Sequence, residues 1–469
     1  GLGRRATWLV IILLLASLSR FSNLTERGFF QPDESTYLQI ARANHIILFW
    51  IWDDLNQVWP AGAERRQILL DEFAEHQALP FSNYASKPLY HLLNLAAIIA
   101  FGQSPSSLLY FSATLGVLTI LLLYKIGETI FDSALIGCLA AGSLAFSVLH
   151  TEYSRSGMPL ATLVFFYSLG LYLYALSLQL DHFRAQRYLA GAGLAFGSTF
   201  LTHPNSLPFL GVVFFTELFI YWQGRNLVIF LKRCSLVYGV CLIPELIADL
   251  SVISLKSFIG DDLHWLYSSS FYGTWRYYNR LMTNFELLML LPGDMKGSYT
   301  PLKERLVTYV FYYPVGIEGM VYGGLALGGF CLVAHRLITS KNPRDFMLVS
   351  CIIPYLFYIA IYKTVMLRSV ACLLPYLSLF IGYIVIFMCE QAGRYRATVM
   401  ALLVVGFIGI HLGDLKTVHA NRSGFAQGAE WLQKRGHKAV LGLNSKHLWL
   451  SHGSGGIASR APTDNVGNI

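Results

Sequence analysis

Pro88-Leu89-Tyr90-His91-Leu92-Leu93-Asn94-Leu95-Ala96-Ala97-Ile98-Ile99-Ala100-Phe101-Gly102-Gln103 is the apolar run whose reading decides how the whole chain is threaded. It falls short of the ~20 residues that a bilayer-crossing helix needs. Eleven other apolar runs are candidates, at about 5–21, 107–126, 133–150, 159–180, 187–202, 206–222, 234–252, 309–334, 346–362, 370–389 and 397–413. With 88–103 outside the membrane and the N-terminus in the cytosol, thirteen Lys and Arg residues, from Arg4 to Arg396, fall in short cytosolic loops. The short outer loops then hold only Arg155, Lys363 and Arg368, the asymmetry that the positive-inside rule expects. Counting 88–103 as a span inverts that bias. The run is therefore read as a helix on the outer membrane surface, amphipathic through Tyr90, His91 and Asn94 against Leu92, Leu93 and Leu95.

The 469 residues are 55% hydrophobic and only 13% charged, and their mean hydropathy is +0.50. The expected fold is an all-α polytopic membrane protein of about eleven transmembrane helices, N-terminus in and C-terminus out. Residues 1–413 read as one transmembrane catalytic domain with two large outer loops, 22–106 and 253–308. The first carries a second amphipathic helix, Glu64 to His76, with Ile68, Leu69 and Phe73 on one face. The second is rich in Trp and Tyr, as expected of chain at headgroup depth. Residues 414–469 read as an extracytosolic soluble segment: Phe425 to Arg435 as helix, then Lys438 to Leu443 as strand, the start of a small α/β domain. So short a piece buries little core, so it is read as cut from something longer. The formal net charge of +8 comes without a basic tract, which argues against a nucleic-acid partner. Seven cysteines without a CxxC read as small buried hydrophobes rather than disulfides or metal ligands. No internal repeat is visible, which weighs against an inverted-repeat transporter.

Unusual polar groups gather on the outer side. In Gly28-Phe29-Phe30-Gln31-Pro32-Asp33-Glu34-Ser35-Thr36-Tyr37, Pro32 suits the first helical position and places Asp33 and Glu34 in the first turn, where the helix dipole favours ionised acids. Lys87 precedes Pro88 at another helix start, where a cation opposes the dipole and calls for an anion nearby. The turn His150-Thr151-Glu152-Tyr153-Ser154-Arg155 leaves two readings open. Glu152 and Arg155 pair with each other at i, i+3, or they set a second acid and a phosphate-binding guanidinium beside the first loop. His203, in Leu201-Thr202-His203-Pro204-Asn205, is either an interfacial hydrogen-bonder or a ligand or base. Lys363 and Arg368 put two cations in one short outer loop. Glu245 and Asp249 are acids in an apolar run, and Glu217, nearer the cytosolic end, receives no role.

In this order, these motifs resemble the GT-C class of integral membrane glycosyltransferases, most closely the protein O-mannosyltransferase and aminoarabinose transferase families. The resemblance rests on Pro32-Asp33-Glu34, Lys87-Pro88, Glu152 to Arg155, His203-Pro204-Asn205 and Arg368 to Pro375. It implies inverting transfer of one sugar from a polyprenyl-phosphate donor to a lipid, glycan or protein acceptor at the outer face of a bacterial inner or plasma membrane. Asp33 is then the general base, with Glu34 its neighbour, and Lys87, Arg155 and Arg368 face the donor phosphate. Tyr37, His91, Glu152 and His203 are candidates for acceptor contacts or support. The chemistry fits: an acceptor hydroxyl must lose its proton as the C–O bond forms, and the leaving phosphate gains charge that fixed cations offset. No cofactor is required. A divalent metal, held in one related family by an acid just before the lysine, is not expected where this chain has Ser86; Glu152 and His203 are its speculative ligands. The competing expectation is a transporter or flippase for a lipid-linked glycan, which would concentrate charge near the bilayer midplane on broken helices.

Overall fold

The computed structural model describes residues 2–30, 32–53, 62–75, 87–180, 182–259, 318–361 and 371–420, with 307, 431, 434–435, 439–441 and 458–460. They form a helical bundle. Helix α1 (Leu2–Phe21) leads into α2 (Leu24–Arg27), α3 (Pro32–Asp53), α4 (Gly62–Glu75) and α5 (Pro88–Phe101). The bundle proper follows with α6 (Pro105–Phe131), α7 (Ala134–Phe146), α8 (Val148–Ser154), α9 (Leu160–Ser177), α10 (His182–Thr202), a 3₁₀ turn (Pro204–Leu210), α11 (Gly211–Gly224) and α12 (Leu227–Ile259). Beyond residue 317 come α13 (Met320–Ser340), α14 (Pro343–Val349), α15 (Ile352–Ile361), α16 (Leu374–Gln391) and α17 (Arg396–Ala420). The most extensive contacts join α9 with α10, α10 with α12, α6 with α7 and α9, and α16 with α7 and α13. The described part of the segment expected as an outer loop, α2 to α5, packs onto this core through α5 on α6 and α3 on α5.

Among the described residues, eight helices are long and apolar enough to cross a membrane, or nine if α7 and α8, bent by 67° at their junction, count as one span. The protein is an integral membrane protein. Two of the eleven expected spans are not among these. The run at 187–202 is α10, which carries Arg184 and Arg187 near its start and glycines on the face toward α12. A Cβ on Gly193 would lie 2.5 Å from the Val237 carbonyl oxygen, and one on Gly197 2.3 Å from that of Cys241. Close backbone approach requires small residues there, which lowers apolarity without taking the helix out of the bundle. The run at 346–362 is interrupted by a turn at Ser350–Cys351, and α14 and α15, of 7 and 10 residues, are each too short to span.

The deciding run, 88–103, is a 14-residue helix with Pro88 at its start and Lys87 as N-cap. Its polar face turns inward: Tyr90, His91 and Asn94 are buried with Ala97 and Ile98, while Leu92 and Ile99 are exposed. The expected second amphipathic helix is α4, with Leu69 and Phe73 buried. Most of the loop expected at 253–308 lies outside the described residues, as does most of the helix expected at 425–435. In the C-terminal segment, strands β1 (Ala439–Leu441) and β2 (Ala458–Arg460) pair in parallel, with Val440 opposite Ser459.

Candidate active site

The adjacent acids at the start of α3 have opposite surroundings. Asp33 is exposed, whereas Glu34 is fully buried. The Glu34 carboxylate accepts from Arg27 Nη1 at 3.1 Å, from the Phe30 amide at 2.6 Å and from the Gly157 amide at 2.7 Å. Arg27, itself 3% exposed, also donates Nη2 to Glu152 Oε1 at 3.0 Å and lies 4.6 Å from the Phe30 ring centroid. One guanidinium thus ties the start of α3 to α8. The pairing explains why a carboxylate tolerates burial here, since each of its oxygens has a donor and its charge a counter-ion.

Across from this network, the α5 N-cap residue Lys87 donates to the Tyr37 hydroxyl at 2.5 Å. Tyr37 meets Tyr90 edge-on, with ring centroids 5.2 Å apart, and lies 5.7 Å from the His91 ring. Tyr90 donates to the Gly157 carbonyl at 2.5 Å, so Gly157 is held through both its N–H and its C=O. Burial, with Tyr37 and Glu34 close by, pushes the Tyr90 phenol up well above its ordinary value, against the pull of Asn94. It therefore stays a neutral donor. A Cβ on Gly157 would come within 3.1 Å of Phe29 and 3.4 Å of Glu34, so the turn approaches the acid because no side chain stands between them.

Three sequence expectations meet different surroundings. Arg155 is buried, and its Nη1 donates to the carbonyls of Ser19, Arg20 and Ser22 at 3.1, 3.2 and 2.8 Å. Through Nη1 it caps the end of α1, and burial together with Arg27 pushes its pKa down to about 10, still charged at neutral pH. Glu152 pairs with Arg27 rather than with Arg155. His203 closes α10, its amide donating to the Thr199 carbonyl at 3.1 Å. Lys363 and Arg368 lie outside the described residues, as does Ser86. Among the described residues no group of three His, Cys, Asp or Glu side chains could hold a metal ion, and the Glu152 carboxylate is engaged by a guanidinium. Glu217, left without a role, is buried and held by Arg233 Nε at 2.8 Å and by the Tyr174 hydroxyl at 2.8 Å, as an internal tie between α9, α11 and α12. Sequence reasoning missed Arg27 and the double restraint on Gly157. Their only signal was an arginine and a glycine flanking motifs already singled out.

Residues 86–247 match the family model described as dolichyl-phosphate-mannose-protein mannosyltransferase. None of the curated proteins matches the chain in sequence. Solved structures match its fold. The oligosaccharyltransferase of Archaeoglobus fulgidus in its apo form superposes with a TM-score of 0.61 at 12% identity, over 95% of this chain and 63% of that one. The same archaeal enzyme, AglB, in complex with an inhibitory peptide and a dolichol-phosphate gives 0.57 at 13%, over 95% and 63%. ArnT from Cupriavidus metallidurans bound to undecaprenyl phosphate gives 0.56 at 14%, over 95% and 85%. The chain thus spans 63% of the length of the oligosaccharyltransferase. With a helical bundle of this topology and a mannosyltransferase family match over residues 86–247, the chain has the fold of the GT-C integral membrane glycosyltransferases and resembles the protein O-mannosyltransferase and ArnT families within it.

Proposed function

We propose that the protein transfers a single sugar from a polyprenyl-phosphate donor to an acceptor hydroxyl at the extracytosolic face of the membrane, with inversion at the anomeric carbon. The observation that carries this reading is the arrangement on α3: Asp33 is exposed, and one helical turn further on Tyr37 holds the Lys87 ammonium. Residues at i and i+4 are neighbours on a helix surface, with Cβ atoms ~5–6 Å apart. A carboxylate and a cation so placed suit the two ends of a displacement at one carbon. Asp33 takes the acceptor proton as the new C–O bond forms. The bond from the anomeric carbon to the phosphate oxygen breaks, and its electron pair leaves with the lipid phosphate, whose charge Lys87 offsets. Arg368 is the second cation that the resemblance assigns to that phosphate. Glu34, buried and saturated with donors, holds the start of α3 rather than exchanging a proton. Solved relatives of the fold that carry dolichol-phosphate and undecaprenyl phosphate support this donor class. Residues 1–413 form the catalytic unit and 414–469 an accessory extracytosolic segment.

The test is Asp33→Asn in proteoliposomes supplied with a panel of undecaprenyl-phosphate monosaccharides and a membrane-extract acceptor. Loss of a general base lowers turnover by roughly 10²–10⁴-fold. Near-wild-type transfer would reject Asp33 as the base. Lipid-linked sugar crossing the bilayer with no product formed would replace the reading with transport.

A further inference from the structure

The bend between α7 and α8 is made by residues far apart in sequence. Ser147 leaves the helix in an extended conformation, and its hydroxyl accepts from the His150 amide at 3.1 Å, capping α8 locally. The remaining caps come from Glu318, 1% exposed and two residues before α13. Its Oε1 accepts from the Ser147 hydroxyl at 2.7 Å and the Leu149 amide at 2.9 Å, and its Oε2 accepts from the Val148 amide at 3.0 Å. The first amides of a helix have no intrahelical partner, so a buried break of this kind requires an acceptor from elsewhere. Glu318 supplies it across 170 residues of chain.

What α8 carries makes that cap consequential. Its far end bears Glu152, which pairs with Arg27, and it leads directly into Gly157, whose amide holds Glu34. Seven helical residues measure about 10 Å, so a 10° swing about Ser147 displaces the far end by about 2 Å. That is enough to separate the Gly157 amide from Glu34, now 2.7 Å apart. Lys87 and Tyr37 stand on α5 and α3 and are not carried by α8.

We infer that Glu318 is a positioning residue: by capping α8 at the bend it fixes the Gly157–Glu34 contact, and through it the start of α3 that presents Asp33. The part concerning turnover rests on the proposed transfer reaction; the part concerning position does not. Glutamine keeps one acceptor oxygen but turns an amino group toward an amide donor, whereas aspartate keeps both acceptors on a shorter arm.

The protein in lipid nanodiscs is examined by amide hydrogen exchange over residues 147–158, and by donor-dependent transfer. In Glu318→Gln, exchange at 148–149 and at Gly157 should rise roughly tenfold, the scale of one lost hydrogen bond to a charged group. The kcat should fall at least tenfold with donor KM within twofold, and Glu318→Asp should recover part of both. Unchanged exchange at Gly157 in Glu318→Gln overturns the inference, as does raised exchange there with undiminished kcat. A KM that rises in step with a general loss of exchange protection also overturns it, because that marks global destabilisation. Should wild type transfer no sugar at all, the proposed reaction fails, and exchange at Gly157 still decides the positioning role.

Discussion

Asp33 and Glu34 are adjacent, equally charged and in the same helical turn, yet their neutral isosteres should fail in opposite ways. In Glu34→Gln the carboxamide keeps one oxygen, so one of the amide donors from Phe30 and Gly157, now at 2.6 and 2.7 Å, faces an NH₂ group instead of an acceptor. A buried donor left unsatisfied costs about 1–3 kcal/mol. Arg27 loses the charge of its 3.1 Å partner but keeps Glu152 at 3.0 Å, so its own charge is not stranded, and the upper range for a broken buried pair, about 3–5 kcal/mol, does not apply in full. The expected destabilisation is about 2–4 kcal/mol. Asp33→Asn acts on an exposed group, and the placement of a charge at a helix N-terminus that it gives up is worth about 0.3–1 kcal/mol, less than a buried unsatisfied donor. Stability read by SDS titration of the purified protein in mixed micelles, beside transfer activity on the same preparations, separates the two. Glu34→Gln should unfold at clearly lower denaturant than Asp33→Asn, while Asp33→Asn should lose roughly 10²–10⁴-fold in transfer. The reasoning fails if the two variants are equally stable, or if Asp33→Asn is the less stable of the pair.

Lys87→Gln should raise donor KM more than tenfold and leave acceptor KM unchanged, and Tyr37→Phe, which removes the hydroxyl that Lys87 donates to, should raise donor KM a few-fold; steady-state kinetics with varied donor checks both. Arg155→Gln removes a cap on two carbonyls of α1 and on that of Ser22 just beyond it, so it should lower stability by about 2 kcal/mol without a selective effect on donor KM, measured by the same titration and kinetics. Gly116→Ala would set a Cβ 2.2 Å from the Ser154 hydroxyl where α6 meets α8, and overpacking of this kind costs about 1–3 kcal/mol, visible as a lower unfolding midpoint.

Local chemistry was legible in the sequence wherever the decisive contact was itself local. Pro32 and Pro88 mark the starts of α3 and α5 because the missing N–H is tolerated there, and Lys87 falls at the N-cap as the dipeptide suggested. Apolar runs located most of the bundle. They include α10, whose glycines serve close packing against α12, but at 133–150 an unbroken apolar composition hides the bend at Ser147. Neither a capping carboxylate 170 residues away nor a guanidinium shared between Glu34 and Glu152 leaves a periodic trace. Arg155 shows the same limit from the other side. Its residue type and loop position suited a phosphate, and only the placement of the α1 carbonyls reveals its use.

The fastening of α1 bears on how the chain is made. Along its body, Leu14, Leu15 and Leu18 are exposed, suiting a helix that meets lipid on one side. Its other end is clasped by groups that emerge much later: Arg20 reaches the carbonyls of Leu144 and Ala145, Arg155 folds over Ser22, and Ser19 and Ser22 meet His419 near the end of α17. The residues that follow α1 lead directly to Arg27 and Glu34. The groups that lock this helix are therefore synthesised well after it, and the chain must be delivered as far as α17 before the turn that presents Asp33 acquires its final seat.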